Sequence, residues 1–137
     1  ISPIDELFIE GRYDTDSGYR GAKRLLSLPK VSRPTAICAA NDLLAFGVLR
    51  YVAERGMRVP HDLSLTGFDN LEFSSLPPIS LTTVHQPRVK MGQIAAELLL
   101  KQIIGVSPSE PRKIILPYHV IIRNTTARCI NCGGETK

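Results

Sequence analysis

Nowhere in the sequence do apolar residues run for the roughly 18 positions that a membrane-spanning helix requires, which argues against an integral membrane protein. Blocks of five or more like charges are also absent, although 17 Lys and Arg against 13 Asp and Glu give a net charge of +4. A nucleic-acid groove usually concentrates basic and aromatic residues on one surface. The scattered basic residues therefore predict a solvated surface, and we expect this chain itself to recognise no DNA sequence.

A secretory signal and an initiator Met are both missing from the start of the chain, which reads Ile-Ser-Pro-Ile-Asp. Hydrophobic residues make up 43% and charged residues 22%, a composition typical of a folded domain. The length of 137 residues is enough to bury a core without disulfides or metals. We expect a cytoplasmic globular domain, or a fragment of a longer protein.

Cysteine is scarce, and its three positions predict no metal site and no cofactor. Cys38 lies in an apolar run and is expected to be a small core residue. Cys129 and Cys132 form one C-x-x-C, but a structural zinc site needs a second pair of ligands, which does not follow. A redox C-x-x-C belongs near the start of a helix, and this pair lies in a polar tail.

Catalytic motifs are missing as well. His61, His85 and His119 have no metal-ligand spacing, and the sequence contains no G-x-S-x-G, P-loop or G-x-G-x-x-G. His85 precedes Gln86-Pro87 and is either a hinge or cleft residue or an ordinary surface imidazole. An α/β enzyme is therefore the least favoured class of function, and turnover would be its test.

What the sequence does contain is an alternation of strand and helix patterns, which predicts an α/β fold with a parallel sheet. The apolar runs predict strands at 7–9, 35–40, 63–68, 81–84, 114–116 and 120–122. Apolar residues at helical spacing predict helices at 17–28, 45–55 and 88–104. The run 35–40 is continuously small or apolar, which is typical of a strand covered on both faces. Gly56 is expected to end its helix in a left-handed conformation.

Polar and aromatic side chains follow three of the predicted strands. They are Tyr13, the pair Asn41-Asp42 and the pair Asp69-Asn70. Ligands of open parallel sheets bind beyond the carboxyl ends of the strands, and this set suits a small polyhydroxylated or heterocyclic ligand. The alternative is that the first pair only caps a helix and the second only turns the chain.

Several longer motifs occur in order along the chain: Pro34–Asp42, Gly56–Asn70, Leu81–Pro87 and Leu116-Pro117-x-x-x-Ile121-x-Arg123. This series resembles the LacI/GalR (lactose-repressor) family of bacterial transcription regulators over roughly residues 8–126. The resemblance implies a three-layer, periplasmic-binding-protein-like (type I) fold, present as a truncated portion.

By this resemblance, residues 1–86 are most of the C-terminal subdomain of an effector-binding domain. Residues 87–105 are a helix that packs on an absent N-terminal subdomain, 106–126 are returning strands and a crossover, and 127–137 are a disordered tail. The opening strand and helix of the C-terminal subdomain are also expected to be missing.

The resemblance also implies a ligand site. Tyr13 matches an aromatic ring that stacks on the effector, Asn41 and Asp69 match a ligand-contacting amide and carboxylate, and Gln86 matches a cleft-hinge contact. The arginine with which the family clamps its effector would lie upstream of Ile1.

The function implied is small-molecule effector sensing, with a sugar or related metabolite as effector, in a homodimer or larger homo-oligomer. Operator DNA would be bound only through a helix-turn-helix outside this chain. The helices at 17–28 and 45–55 carry extra apolar residues, which predicts that they also form a dimer interface. The alternative is a solute-binding receptor of the same fold that serves transport or chemotaxis.

Overall fold

The computed structural model describes residues 5–106 and 113–128. Three α-helices are present in this part of the chain: α1 (Thr15–Leu26), α2 (Asp42–Glu54) and α3 (Arg88–Ile103). Four strands are present: β1 (Ala36–Cys38), β2 (Ser64–Thr66), β3 (Thr83–His85) and β4 (His119–Ile121). Two short 3-10 helices lie at Asp5–Leu7 and Glu72–Ser75.

The four strands form two sheets of two strands each, which one parallel bridge connects. β1 pairs with β2 in register, with Ile37 opposite Leu65. A parallel bridge between Thr66 and Thr82 then continues the pairing from β2 towards β3, and β4 runs antiparallel to β3. The predicted crossover from one parallel strand through a helix to the next is confirmed by β1, α2 and β2.

Side-chain caps fix where the first two long helices begin. The carboxylate of Asp14 accepts a hydrogen bond from the Ser17 amide at 2.7 Å, and Asn41 Oδ1 accepts one from the Leu44 amide at 2.8 Å. Such caps satisfy amides that the first turn of a helix cannot pair internally. Gly56 follows α2 with φ +64°, the left-handed conformation that its sequence position predicts.

The hydrophobic core lies between the α1–α2 pair and one face of the sheet. Leu25 and Leu26 of α1, Val48 and Val52 of α2 and Leu65 of β2 are all buried there. Apolar spacing along the helices had predicted this face, because each buried position recurs after three or four residues.

The predicted strand at 7–9 is wrong. Leu7 ends a 3-10 helix, and residues 8–12 have no regular secondary structure. A groove of about 340 Å³ separates this segment from Ala36–Ala40 of the β1 region. A strand forms only where a neighbouring backbone pairs with it, and the groove keeps these two backbones apart.

The expectation that β1 is covered on both faces is also wrong. Ile37 is buried, whereas Ala36 and Cys38 are exposed. Successive side chains of a strand point to opposite faces, and in the described chain α1 and α2 cover only the face to which Ile37 points. Cys38 is therefore not a core residue.

The predicted strand at 114–116 is also wrong, because no neighbouring strand pairs with it among the described residues. Residues 113–118 have no regular secondary structure, and Ile115 is 77% exposed. The neighbouring α3 buries none of its residues, and Leu99, Leu100 and Ile103 are all more than half exposed.

In the described part of the chain, no helix is long and apolar enough to cross a membrane.

Candidate functional site

Tyr13 and Asn41 are brought together at one end of the sheet. Tyr13 directly precedes Asp14, the N-cap of α1, and its side chain is 70% exposed. The backbone carbonyl of Tyr13 accepts a hydrogen bond from Asn41 Nδ2 at 3.4 Å. The Tyr13 ring is thus exposed near the start of α2, and its apolar face is available for a ligand to stack on.

Asn41 is almost fully buried, and its amide serves the local fold. Its oxygen caps α2 and its nitrogen holds the Tyr13 carbonyl. The capping role that the sequence offered as the alternative is therefore present. The Nδ2 group has two hydrogens, so the bond to Tyr13 leaves one for a further acceptor.

Asp69 and Gln86 form the second pair. Gln86 Nε2 donates to Asp69 Oδ1 at 2.9 Å, and the Asp69 amide donates to the Val84 carbonyl at 3.0 Å. Asp69 has φ +113° and Asn70 has φ +51°, which are uncommon conformations for residues other than glycine. Both residues are half-buried in the loop that follows β2, so part of the Asp69 surface is open to solvent.

One backbone hydrogen bond connects the two pairs. The amide of Asp42, next to Asn41, donates to the carbonyl of Phe68, next to Asp69, at 2.8 Å. Asn41 and Asp69 thus follow the carboxyl ends of neighbouring parallel strands and are held side by side through their chain neighbours. This edge of the sheet offers an aromatic ring, two amides and a carboxylate.

Asn70 does not act alone at this edge. Its Nδ2 lies 3.2 Å from His85 Nδ1, and its Oδ1 accepts a hydrogen bond from Arg123 Nη2 at 2.7 Å. The same guanidinium donates to the Leu81 carbonyl at 2.7 Å. His85 is accordingly part of the polar network around the site. Arg123 had appeared in the sequence only as a motif position, and its contact with Asn70 spans 53 residues.

Asp42 lies behind the site and does not face its open side. Sequence position had placed its carboxylate on the rim with that of Asp69, but Asp42 is fully buried. Its oxygens accept hydrogen bonds from Leu71, Ser74 and Thr83. Only Asp69 of the two carboxylates is thus available to a ligand.

An apolar cavity of about 620 Å³ adjoins the site and was not predicted. Phe68 and Gln86 line it on the side of the site, and Met91 and Leu98 of α3 line it on the other.

No group of three or more His, Cys, Asp or Glu side chains that could hold a metal ion occurs in residues 5–106 and 113–128. Cys129, Cys132 and most of the predicted tail at 127–137 lie outside the described residues.

Comparison with known proteins gives a consistent picture. The sequence model of the periplasmic binding protein-like domain matches residues 2–126. The HTH-type transcriptional repressor PurR of Escherichia coli O139:H28 is 37% identical over 127 residues, which are 93% of this chain and 36% of the repressor. The chain therefore spans little more than a third of the length of that relative.

Solved structures agree with this match. A LacI family transcriptional regulator from Enterococcus faecium with bound ribose superimposes with a TM-score of 0.73 at 34% identity, over 87% of this chain and 43% of that one. A LacI family regulator from Lactobacillus casei with bound sucrose gives a TM-score of 0.68 at 29% identity, over 83% and 41% of the two chains.

Proposed function

Because this chain belongs to the periplasmic binding protein-like family and, within it, to the LacI/GalR type, we propose that it is part of the effector-sensing region of a transcription regulator. The effector is a small polyhydroxylated molecule such as a sugar. The observation that carries the proposal is that Asn41 and Asp69 follow neighbouring strand ends, with Tyr13 hydrogen-bonded to Asn41 and Gln86 to Asp69.

The chemistry of these four side chains supports a sugar-like ligand. A carboxylate that accepts hydrogen bonds from hydroxyls, an amide hydrogen that donates to them and an exposed ring that covers a C–H face together match both surfaces of a saccharide. Ribose and sucrose occupy two of the similar regulators. Asp69 is the principal anchor, because hydrogen bonds to an ionised group are stronger than those between neutral groups.

The role is binding rather than catalysis. The PurR relative is a transcriptional repressor, and the four side chains include no nucleophile hydrogen-bonded to a base. We place the regulator in the cytoplasm, where operator DNA is. Operator recognition belongs to a helix-turn-helix outside this chain, because the sequence contains no block of five or more basic residues.

We also propose that the native protein assembles as a homodimer or larger homo-oligomer. Leu99, Leu100 and Ile103 of α3 are 58%, 60% and 70% exposed, and apolar patches of this kind usually mark an interaction surface. Their cover is either a subdomain outside this chain, as the resemblance implies for α3, or a second copy. The outer residues Phe46 and Leu49 of α2 are half-buried against the core, so they offer less interface than their spacing had predicted.

The sensing proposal is tested by titrating D-ribose and sucrose into the full natural protein that contains this chain. Asp69→Asn removes the charge at nearly constant size, and we expect at least one sugar to bind tenfold to a hundredfold more weakly. This equals the loss of about 1.5–3 kcal/mol for a charged hydrogen-bonding group. Glu72→Gln is the matched control, since Glu72 is an exposed carboxylate close by in sequence. Equal affinity of wild type and Asp69→Asn would remove Asp69 from the site.

A further inference from the structure

The buried carboxylate of Asp42 joins three separate segments of the chain. Oδ1 accepts a hydrogen bond from Thr83 Oγ1 at 2.6 Å, in β3. Oδ2 accepts one from the Leu71 amide at 2.8 Å and one from Ser74 Oγ at 2.5 Å, in and before the second 3-10 helix. Asp42 itself is the first residue of α2. One side chain thus ties the start of α2 to the segment Leu71–Ser74 and to β3.

A carboxylate with no exposed surface is stable only if its oxygens are paired. No Lys or Arg forms a salt bridge with Asp42 among the described residues. Two hydroxyls and one backbone amide provide the pairing, and the position at the N-terminus of a helix is also favourable for a negative charge. Because hydrogen bonds to an ionised acceptor are strong, the donors are held firmly in place.

Thr83 connects the Asp42 carboxylate to a second residue of the loop, Asn70. Its hydroxyl donates to Asp42, so its oxygen is oriented to accept, and it accepts a hydrogen bond from the Asn70 amide at 3.3 Å. Asp42 therefore holds the Leu71 amide directly and the Asn70 amide through Thr83. These are the two amides that follow Asp69 in the chain.

The loop that receives these bonds needs them. Asp69 and Asn70 are both in left-handed conformations, which are unfavourable for residues other than glycine and persist only where the surroundings hold them. The fit behind the loop is also tight: a β-carbon at Gly67 would lie 2.3 Å from Asp42 Oδ1. The Asp42 carboxylate thus packs closely against the backbone at Gly67, just before the strained loop.

We propose that Asp42 is the positioning residue of the effector site: it sets the direction of the Asp69 carboxylate without touching the ligand. The carboxylate of Asp42 and its backbone amide, which donates to the Phe68 carbonyl, together fix the loop Phe68–Leu71 relative to the start of α2. The ligand-binding part of the proposal rests on the proposed function, whereas the restraint of the loop does not.

The test compares three variants of the native polypeptide. Asp42→Asn keeps the size but changes one acceptor into a donor. If its oxygen pairs with Leu71, its nitrogen faces the Thr83 hydroxyl, which can no longer donate to residue 42 and instead accepts from it in competition with the Asn70 amide. Thr83→Val removes the connection to Asn70 together with the hydrogen bond to Asp42 Oδ1, and leaves the Leu71 and Ser74 bonds to Oδ2 in place. Ser74→Ala removes a hydroxyl from the same carboxylate without altering either amide of the loop, and serves as the control for stability.

Amide hydrogen exchange, resolved by residue, is the first measurement. We expect Asp42→Asn to speed exchange at Asn70 or Leu71 at least tenfold, and Thr83→Val to do so at Asn70 alone. Ser74→Ala should lower the melting temperature while both amides keep their wild-type rates. Unchanged exchange in Asp42→Asn and Thr83→Val, or an equal rise in Ser74→Ala, would show that Asp42 serves stability only and would overturn the proposal.

Binding of D-ribose is the second measurement. We expect its affinity to fall at least tenfold in Asp42→Asn and to stay within twofold of wild type in Ser74→Ala. If neither D-ribose nor sucrose binds the wild type, the sugar class of the proposed effector is wrong, and the exchange rates alone decide whether Asp42 restrains the loop. If Asp42→Asn does not fold, Thr83→Val carries both measurements.

Discussion

Gly18 of α1 and Gly47 of α2 let the two helices touch backbone to backbone. A β-carbon on Gly18 would lie 2.0 Å from the Leu44 carbonyl oxygen, and one on Gly47 would lie 2.0 Å from the Thr15 carbonyl oxygen. Each glycine thus faces the backbone of the opposite helix near its first turn. Tyr13 and Asn41 immediately precede these turns, so the close contact also determines how near the two halves of the candidate site lie.

Gly47→Ala should therefore destabilise the fold. The added methyl group meets a backbone carbonyl that cannot rotate away, and overpacking of this kind costs about 1–3 kcal/mol. Gly92→Ala in α3 is the matched control, because its β-carbon would meet nothing within 4 Å and alanine favours a helix over glycine by up to about 1 kcal/mol. Urea unfolding measures both, and equal midpoints for Gly47→Ala and wild type would contradict the close contact.

The N-cap of α1 should make stability depend on acid pH. The Ser17 backbone amide, helped by the Ser17 side chain, lowers the pKa of Asp14 below its ordinary value. Since the folded state lowers this pKa, the ionised cap stabilises the fold above the ordinary pKa of an aspartate, about 3.9, and this contribution is lost as the pH falls through the lowered pKa. Asp14→Asn keeps a capping oxygen but does not titrate.

Melting temperatures of wild type and Asp14→Asn, measured from pH 7 to pH 2.5, check this prediction. The difference between the two proteins should change in favour of Asp14→Asn as the pH falls below about 4. Parallel curves over the whole range would mean that the Asp14 cap does not titrate with folding.

Gly56 allows a purely conformational test. Its φ is +64°, and a β-carbon there would meet nothing within 4 Å. Gly56→Ala should lower stability by about 1 kcal/mol, because only the left-handed backbone opposes the substitution. Gly56→Asn should cost less, since asparagine enters this conformation more readily. Denaturant midpoints for the two variants rank them, and a more stable Gly56→Ala would contradict the assigned conformation.

The exposed apolar face of α3 gives a prediction about assembly. Leu100→Glu places a charge on a residue that is 60% exposed here, so it should cost little in the fold of this chain. If α3 lies between copies, the variant should lower the molar mass of the native protein in light scattering. Glu97→Gln on the same helix is the control. An unchanged mass for Leu100→Glu would place the contact between copies elsewhere.

Local patterns in the sequence predicted the caps and the helices well. The helix cap of Asn41 and the left-handed Gly56 act within four residues of their own positions, so neighbouring residues are enough to reveal them. The strands at 7–9 and 114–116 were predicted wrongly because a strand depends on a backbone distant in the sequence. The apolar composition of a segment does not show whether another backbone lies beside it and can pair with it.

The buried position of Asp42 could not be predicted from the sequence for the same reason. Asp42 meets Ser74 and Thr83 across 32 and 41 residues, and a sequence shows an aspartate near a strand end in the same way whether it faces a ligand or the core. Polar character predicted which side chains meet at this edge of the sheet, and their role as a site stays a prediction. Which carboxylate is open to solvent was decided by long-range packing.

The groove beside β1 affects how the isolated chain behaves in concentrated solution. Thr35 and Ala39 direct backbone groups to the β2 side, so by alternation Ala36 and Cys38 direct theirs into the groove. An unprotected sheet edge with small side chains is a template for other strands, and natural proteins blunt such edges with charges. Overexpression of these 137 residues alone therefore favours aggregates joined edge to edge, and a lysine in place of the exposed Cys38 should keep more of the chain soluble.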